Sequence, residues 1–304
     1  MNKQRLFLAA LLAVCAAFTA CVTSSAVDDF AKVSAQAATL FPAVAAIPYN
    51  SCVAIEKNTQ LANVTDFNGS FSFDQTKIAS ACQVAQDTSE RLTKTYAVLT
   101  AYVTALDKLA CGNTPTYDTN IKGAAEKIPG LNTTQKTAVS GLTSLIADLV
   151  DKHYRQKEAA KAIHQAQPWV HELSVMLKDQ LPLLVNERLK NELDSLGSLY
   201  RDAARFRVKN DPNKPPIEVT DPILITASFA EKQVIVQQER DAISAFETIF
   251  VKIDEGHTAL DKSRDKLFDK STIQELFQTA SDIKTQVEAV EAAFKPSAGA
   301  KPKK

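Results

Sequence analysis

Glycine is scarce: the 304-residue chain holds eight, at positions 69, 112, 123, 130, 141, 197, 256 and 299. None are grouped as a phosphate-cradling loop or a dinucleotide turn requires. No serine nucleophile elbow occurs. His171-Glu172 runs on into Leu173, Ser174 and Val175, so the second histidine of zinc-protease spacing is missing. Cysteine is limited to five residues, none in a CxxC pair. Neither charge sign dominates, with 35 Lys and Arg against 35 Asp and Glu, so the basic surplus that nucleic-acid binding needs is absent. Past residue 20 no uninterrupted apolar run is long enough to span a bilayer, which argues against a pore-forming toxin with a concealed membrane hairpin. With these motifs missing, the chain offers no catalytic, cofactor-binding or metal-ligating residue, and the expectation is a protein that is not an enzyme and carries no cofactor.

The N-terminus does carry a signal. Lys3 and Arg5 precede the apolar run Leu6 to Ala17, too short for a stable spanning helix but matching the h-region of a secretory signal. Small residues then lead to Phe18, Thr19, Ala20 and Cys21. This tetrad resembles the lipobox of the bacterial lipoprotein class, with Phe18 where Leu is usual. The resemblance implies that residues 1–20 are a cleaved signal peptide. It also implies that Cys21 becomes a first residue carrying acyl chains such as palmitate, the chain's attachment to a membrane. In that class an Asp after the cysteine holds the protein at the inner membrane. Val22 stands there, so the periplasmic face of the outer membrane is expected if the source is Gram-negative. Cleavage leaves 33 basic side chains against 35 acidic ones.

Export to an oxidising compartment favours a disulfide among Cys52, Cys82 and Cys111. Cys82 and Cys111 fall on one predicted helix, 29 residues and therefore roughly 43 Å apart. A bridge spans only about 4.4 to 6.8 Å between Cα atoms. That leaves Cys52 paired with Cys82 or with Cys111.

Ala, Leu, Lys, Gln and Glu are plentiful, and apolar spacing points to helix throughout. Ile78, Cys82, Ala85, Ser89, Leu92, Tyr96, Leu99, Val103, Leu106 and Ala110 step by four and three, a heptad seam that Gly112 should stop. A second seam, Val139, Leu142, Ile146, Leu149, His153, Gln156, Ala160 and Ile163, predicts one long helix capped by Asn132 or Thr133. A third runs from Ile243 to Leu267 and a fourth from Ile273 to Phe294, with Ser271 as the cap between them. Trp169 to Val208 reads as helix, opened by Pro168 and kinked at Pro182. Near the start, Ser25 can cap a helix whose inner face is Phe30, Val33, Ala37, Phe41 and Val44.

Pro48, Asn50, Asn68 and Gly69 make residues 48–73 read as a loop, and Pro115, Pro129 and Gly130 leave room for at most a short helix in 112–132. Asp211-Pro212, Pro215-Pro216 and Asp221-Pro222 interrupt helix over 209–222, with a brief extended segment allowed over 217–225. Narrow seams must be covered by neighbours. The fold expected is therefore all-α: an elongated antiparallel bundle of long amphipathic helices, one domain over 21–294, with a disordered basic tail at 295–304.

His153, His164 and His171 recur on one helix face, but seven residues of helix separate side chains by about 10 Å, too far for a shared metal whose ligands sit at about 2 Å. Asp254 and His257 stand at i, i+3, a spacing found in di-iron bundles, yet the second such pair is missing. Both sets read as structural. The function expected is a membrane-anchored adaptor or structural lipoprotein that docks a protein partner or a second copy, with exposed apolar residues on one bundle face. The alternative is a bundle that holds a small apolar or amphipathic ligand between helices, beside Tyr96 or Tyr200.

Overall fold

The computed structural model describes residues 26–63, 72–110, 123–151, 156–208, 222–263 and 270–294. Among them no strand occurs, and the helices pack on one another as an all-α bundle, the class that the apolar periodicity predicts. In chain order they are α1 (26–45), α2 (Ile47–Ala62), α3 (Gln75–Ala110), α4 (Ala124–Lys127), α5 (Thr133–Asp151), α6 (Gln156–Val208), α7 (Pro222–Lys262) and α8 (Lys270–Phe294). Several expectations lie outside these residues: the Ser25 cap, the Gly112 stop, His153, Cys111, the tail at 295–304 and most of the proline-rich interruption.

α3 shows why the seam reading works. Ile78, Cys82, Ala85, Leu92, Tyr96, Leu99, Val103 and Leu106 are all buried, as are Phe30, Ala37, Phe41 and Val44 of α1. Where α1, α3 and α7 meet, Phe41 and Tyr96 lie 4.6 Å apart edge to face, and both rings contact Phe246 and Phe250. Large rings at one junction bury much apolar area and prefer such tilted contacts. The chain on either side of 209–221 shares this core, since Val170, Leu173 and Leu177 of α6 belong to it with Ile249 of α7 and Ile283 of α8.

Four readings are corrected. Residues 48–73 are not one loop, because α2 fills Ile47–Ala62 with Pro48 in its first turn. A proline there forfeits a donor that has no intrahelical partner anyway, so it opens a helix instead of preventing one. The seam through His153 and Gln156 is not one helix: α5 ends at Asp151, α6 begins at Gln156, and α5 folds back until Gly141 lies under the Trp169 ring. The apolar phase carries across the break because both helices face the same core. Pro168 does not open a helix, since it and Pro182 both lie inside α6. Each removes one backbone bond, and packing of Ala166, Val170, Leu181 and Val185 on either side holds the helix together. Finally, Pro222 to Ile225 is the first turn of α7, so that part of 217–225 is not extended, and 217–221 lie outside the described residues.

One absence also needs correction. Ala26–Ala62 is long and apolar enough to cross a membrane by length and composition, with a mean hydropathy of 1.4 over its most apolar window. Here its large side chains Phe30, Phe41, Val44 and Ile47 are spent on the bundle core.

Local chemistry sets the helix ends. Asn132 and Gln135 cap α5 reciprocally: the Asn132 side chain accepts from the Gln135 amide at 2.9 Å and the Gln135 side chain from the Asn132 amide at 3.1 Å. Asp74 caps α3 by accepting from the Lys77 amide. Ser271, expected as a cap, sits within the first turn of α8. The disulfide joins Cys52 of α2 to Cys82 of α3, with Cα atoms 5.7 Å apart.

Candidate functional site

α6 and α7 run antiparallel in a fixed register written in polar pairs. His164 meets Asp261 at 3.0 Å, Gln167 donates to Thr258 at 2.9 Å, and His171 meets Asp254 at 2.8 Å. Steps of three and four along α6 answer equal steps back along α7. The two described histidines of the sequence triad therefore pair with different carboxylates on the facing helix, and both remain largely exposed. Asp254 and His257 likewise turn to different partners. Among the described residues no group of three or more His, Cys, Asp or Glu side chains is placed to hold a metal ion.

His257 is buried between the helices. Its Nε2 faces the Tyr102 hydroxyl at 2.8 Å and its Nδ1 faces Gln167 Oε1 at 2.5 Å. Gln167 Oε1 can only accept, so Nδ1 carries the ring proton and Nε2 accepts from Tyr102. Both ring nitrogens are satisfied with the ring neutral, and burial pushes its pKa down to about 4. This is a closed polar layer in which both ring nitrogens are engaged.

A second polar group joins three helices. Glu192 of α6 is buried, and one of its oxygens accepts from Lys232 of α7 at 2.7 Å while the other accepts from the Ser51 hydroxyl of α2. Sequence reading missed this group because Ser51 and Glu192 are 141 residues apart. The available signal was a glutamate three positions after Leu189, on the buried face of α6.

Beyond Glu192 the burial of α6 and α7 thins, while Cys52, Cys82 and Ile78 of α2 and α3 stay buried. Of the described side chains beyond that point, 193–201 on α6 and 229–235 on α7, none is buried. α6 and α7 continue there as an extension flanked by α2, which runs on past Ser51 beside α6 to Ala62 and is tied to α3 by the Cys52–Cys82 bridge; Tyr200 stands edge-on to Phe229 at 5.8 Å between ring centres. From Glu192 to Val208 the extension is about 24 Å long at 1.5 Å per residue. Exposed Val234 and Ile235 lie on it. Its position relative to the N-terminus follows from α1, which places Phe41 against Phe246 and Phe250 and Phe30 against Gly256. α1 therefore starts near the C-terminal end of α7, and the extension lies toward the opposite end, beginning about 30 Å and ending about 50 Å away along the helix.

The other large exposed apolar residues do not make one face. Leu61, Val84, Phe277 and Phe294 sit on three different helices, and Leu183 shares an open depression with Val251 and Pro182. A half-enclosed groove of about 340 Å³ runs over α3 between α1 and α5. Its floor is Ala97, Ala101 and Ala105, and its walls include Phe41, Tyr96 and Ile146. Thr93 and Thr100 turn their hydroxyls to the carbonyls of Ser89 and Tyr96, which leaves their methyl groups for the groove.

No family model matches the chain, and neither a curated protein nor a solved structure matches it.

Proposed function

We propose that this chain is an envelope lipoprotein, anchored to a membrane through lipid on Cys21, that acts as an adaptor presenting the α6–α7 extension to a protein partner or a second copy. The observation that carries this reading is the opposition of the two ends. Cys21 precedes Ala26 by five residues, a reach of at most about 18 Å. The anchored end of the body is therefore the end where α1 begins, and the extension points away from it. In a Gram-negative source, Val22 after the cysteine favours the periplasmic face of the outer membrane. Val234 and Ile235 give the extension exposed apolar contact area.

The test is site-specific photo-crosslinking in cell envelopes, with the probe at Glu231 or Gln233 on the extension and at Gln83 on α3 as the comparison. The adaptor reading expects one defined adduct, a second copy included, from the extension and none from α3. Adducts of equal yield from both places, or none from the extension, would overturn it. Intact-mass measurement of the same material checks the anchor by the lipid increment on Cys21.

The groove over α3 favours a second reading, a carrier for one slender amphipathic molecule, since helix bundles often bind ligands between helices in clefts of this size. Native mass spectrometry would then show a stoichiometric small molecule that Ala101→Trp removes. A bare chain of unaltered mass eliminates this reading.

A further inference from the structure

We propose that Glu192, Lys232 and Glu239 form a proton-dependent latch at the root of the α6–α7 extension, closed while Glu239 carries a proton and loosened when it loses it. The inference deepens the adaptor reading, on which it rests for its biological role. Glu239 follows Lys232 by seven residues on α7, two helical turns, and so shares its face. Both oxygens of Glu192 are already engaged, by Lys232 and by Ser51. Glu239 Oε2 is enclosed and has no hydrogen-bond partner.

The charges acting on Glu239 are Lys232 of its own helix and Glu192 of α6, while α2 contributes the uncharged hydroxyl of Ser51 to the group. With both ionised, two carboxylates would stand near one ammonium that is already bonded to Glu192, and the enclosed oxygen of Glu239 would have no partner. An uncompensated negative charge at such a place is unfavourable, and a proton removes it. Burial accordingly pushes the Glu239 carboxyl up to about 7, against the pull of Lys232 and with a further push from Glu192. Protonated, Glu239 lets Lys232 serve Glu192 alone and hold α7 against α6 and α2. Ionised, it draws on the charge of Lys232 and repels Glu192, beside the last buried side chains of α6 and α7.

Hydrogen exchange read by mass spectrometry on the mature chain, at pH 6 and pH 8.5 and corrected for the intrinsic rate, tests the latch. Peptides covering 229–240 should lose protection several-fold at the higher pH, while α8 peptides hold theirs. Glu239→Gln should protect this segment equally at both values. Equal protection in the unaltered chain, a loss shared by α8, or a pH-dependent loss that survives Glu239→Gln would each overturn the proposal. The readout needs neither lipid nor partner, so the latch and the adaptor reading fail separately.

Discussion

Single residues show where polarity inside the bundle is tolerated and where space runs out. His257 is stable in the interior because Tyr102 and Gln167 satisfy a neutral ring, so a proton there must displace one of those bonds. Its pKa is lowered from 6.5 to about 4 on folding. Its contribution to stability is therefore fully present above pH 6.5 and is lost as the pH falls from there through 4. Urea unfolding at pH 7.5, 5.5 and 4.5 should show this loss, and His257→Asn should flatten it. Tyr102→Phe leaves Nε2 without its donor and should lower stability at pH 7.5 by about 1–3 kcal/mol. Gly141 illustrates space: a Cβ there would stand 2.4 Å from the Trp169 ring. Gly141→Ala should destabilise by about 1–2 kcal/mol in thermal unfolding, because the clash outweighs the gain in helix propensity.

At the scale of elements, the Cys52–Cys82 bridge ties α2 to α3 across a sequence separation of 30 residues. By chain entropy, closing a loop of that length contributes about 3–4 kcal/mol, and the double variant Cys52→Ser, Cys82→Ser should lose about 2–4 kcal/mol in denaturant unfolding. Reductant should then change the unaltered chain and leave the variant as it was.

Much of the element pattern was legible in the sequence. The seams of α3, of α7 from Ile243 onward and of α8 read cleanly because each buries one stripe against neighbours, as with Leu276, Ala280, Ile283, Val287 and Val290, whereas the first half of α7 was not read as helix. α2 was not legible, since Pro48 and Asn50 carry the same local signal whether they open a helix or form a turn. The break between α5 and α6 was hidden by an apolar phase that continues through it. Of the candidate site, the sequence named Tyr200 and the histidines but not the Glu192 group, whose members come from three helices and share no spacing. Which His257 partners would close the polar layer is likewise a matter of register between helices, invisible along one chain.

The whole molecule is organised by its two ends. α1 starts at the end carrying Phe30, Gly256 and Leu260, while at the other end the described side chains of α6 past Glu192 and of α7 before Val236 are no longer buried. Between them stands one continuous core, so packed helices fix the position of one end relative to the other. Removing the Cys21 thiol by Cys21→Ser should release the chain from membranes on fractionation while leaving its helical circular dichroism unchanged, because no residue of the described core depends on the lipid.

The most direct measurement is energy transfer from a donor dye on the mature lipidated chain to acceptors in the bilayer headgroups. The donor is placed through Lys262→Cys in one preparation and Gln233→Cys in another. Strong quenching at 262 and weak quenching at 233 is the result predicted for a body anchored at the α1 end and presenting its extension away from the membrane. Equal quenching at both positions, or the reverse order, would contradict that arrangement and with it the adaptor reading.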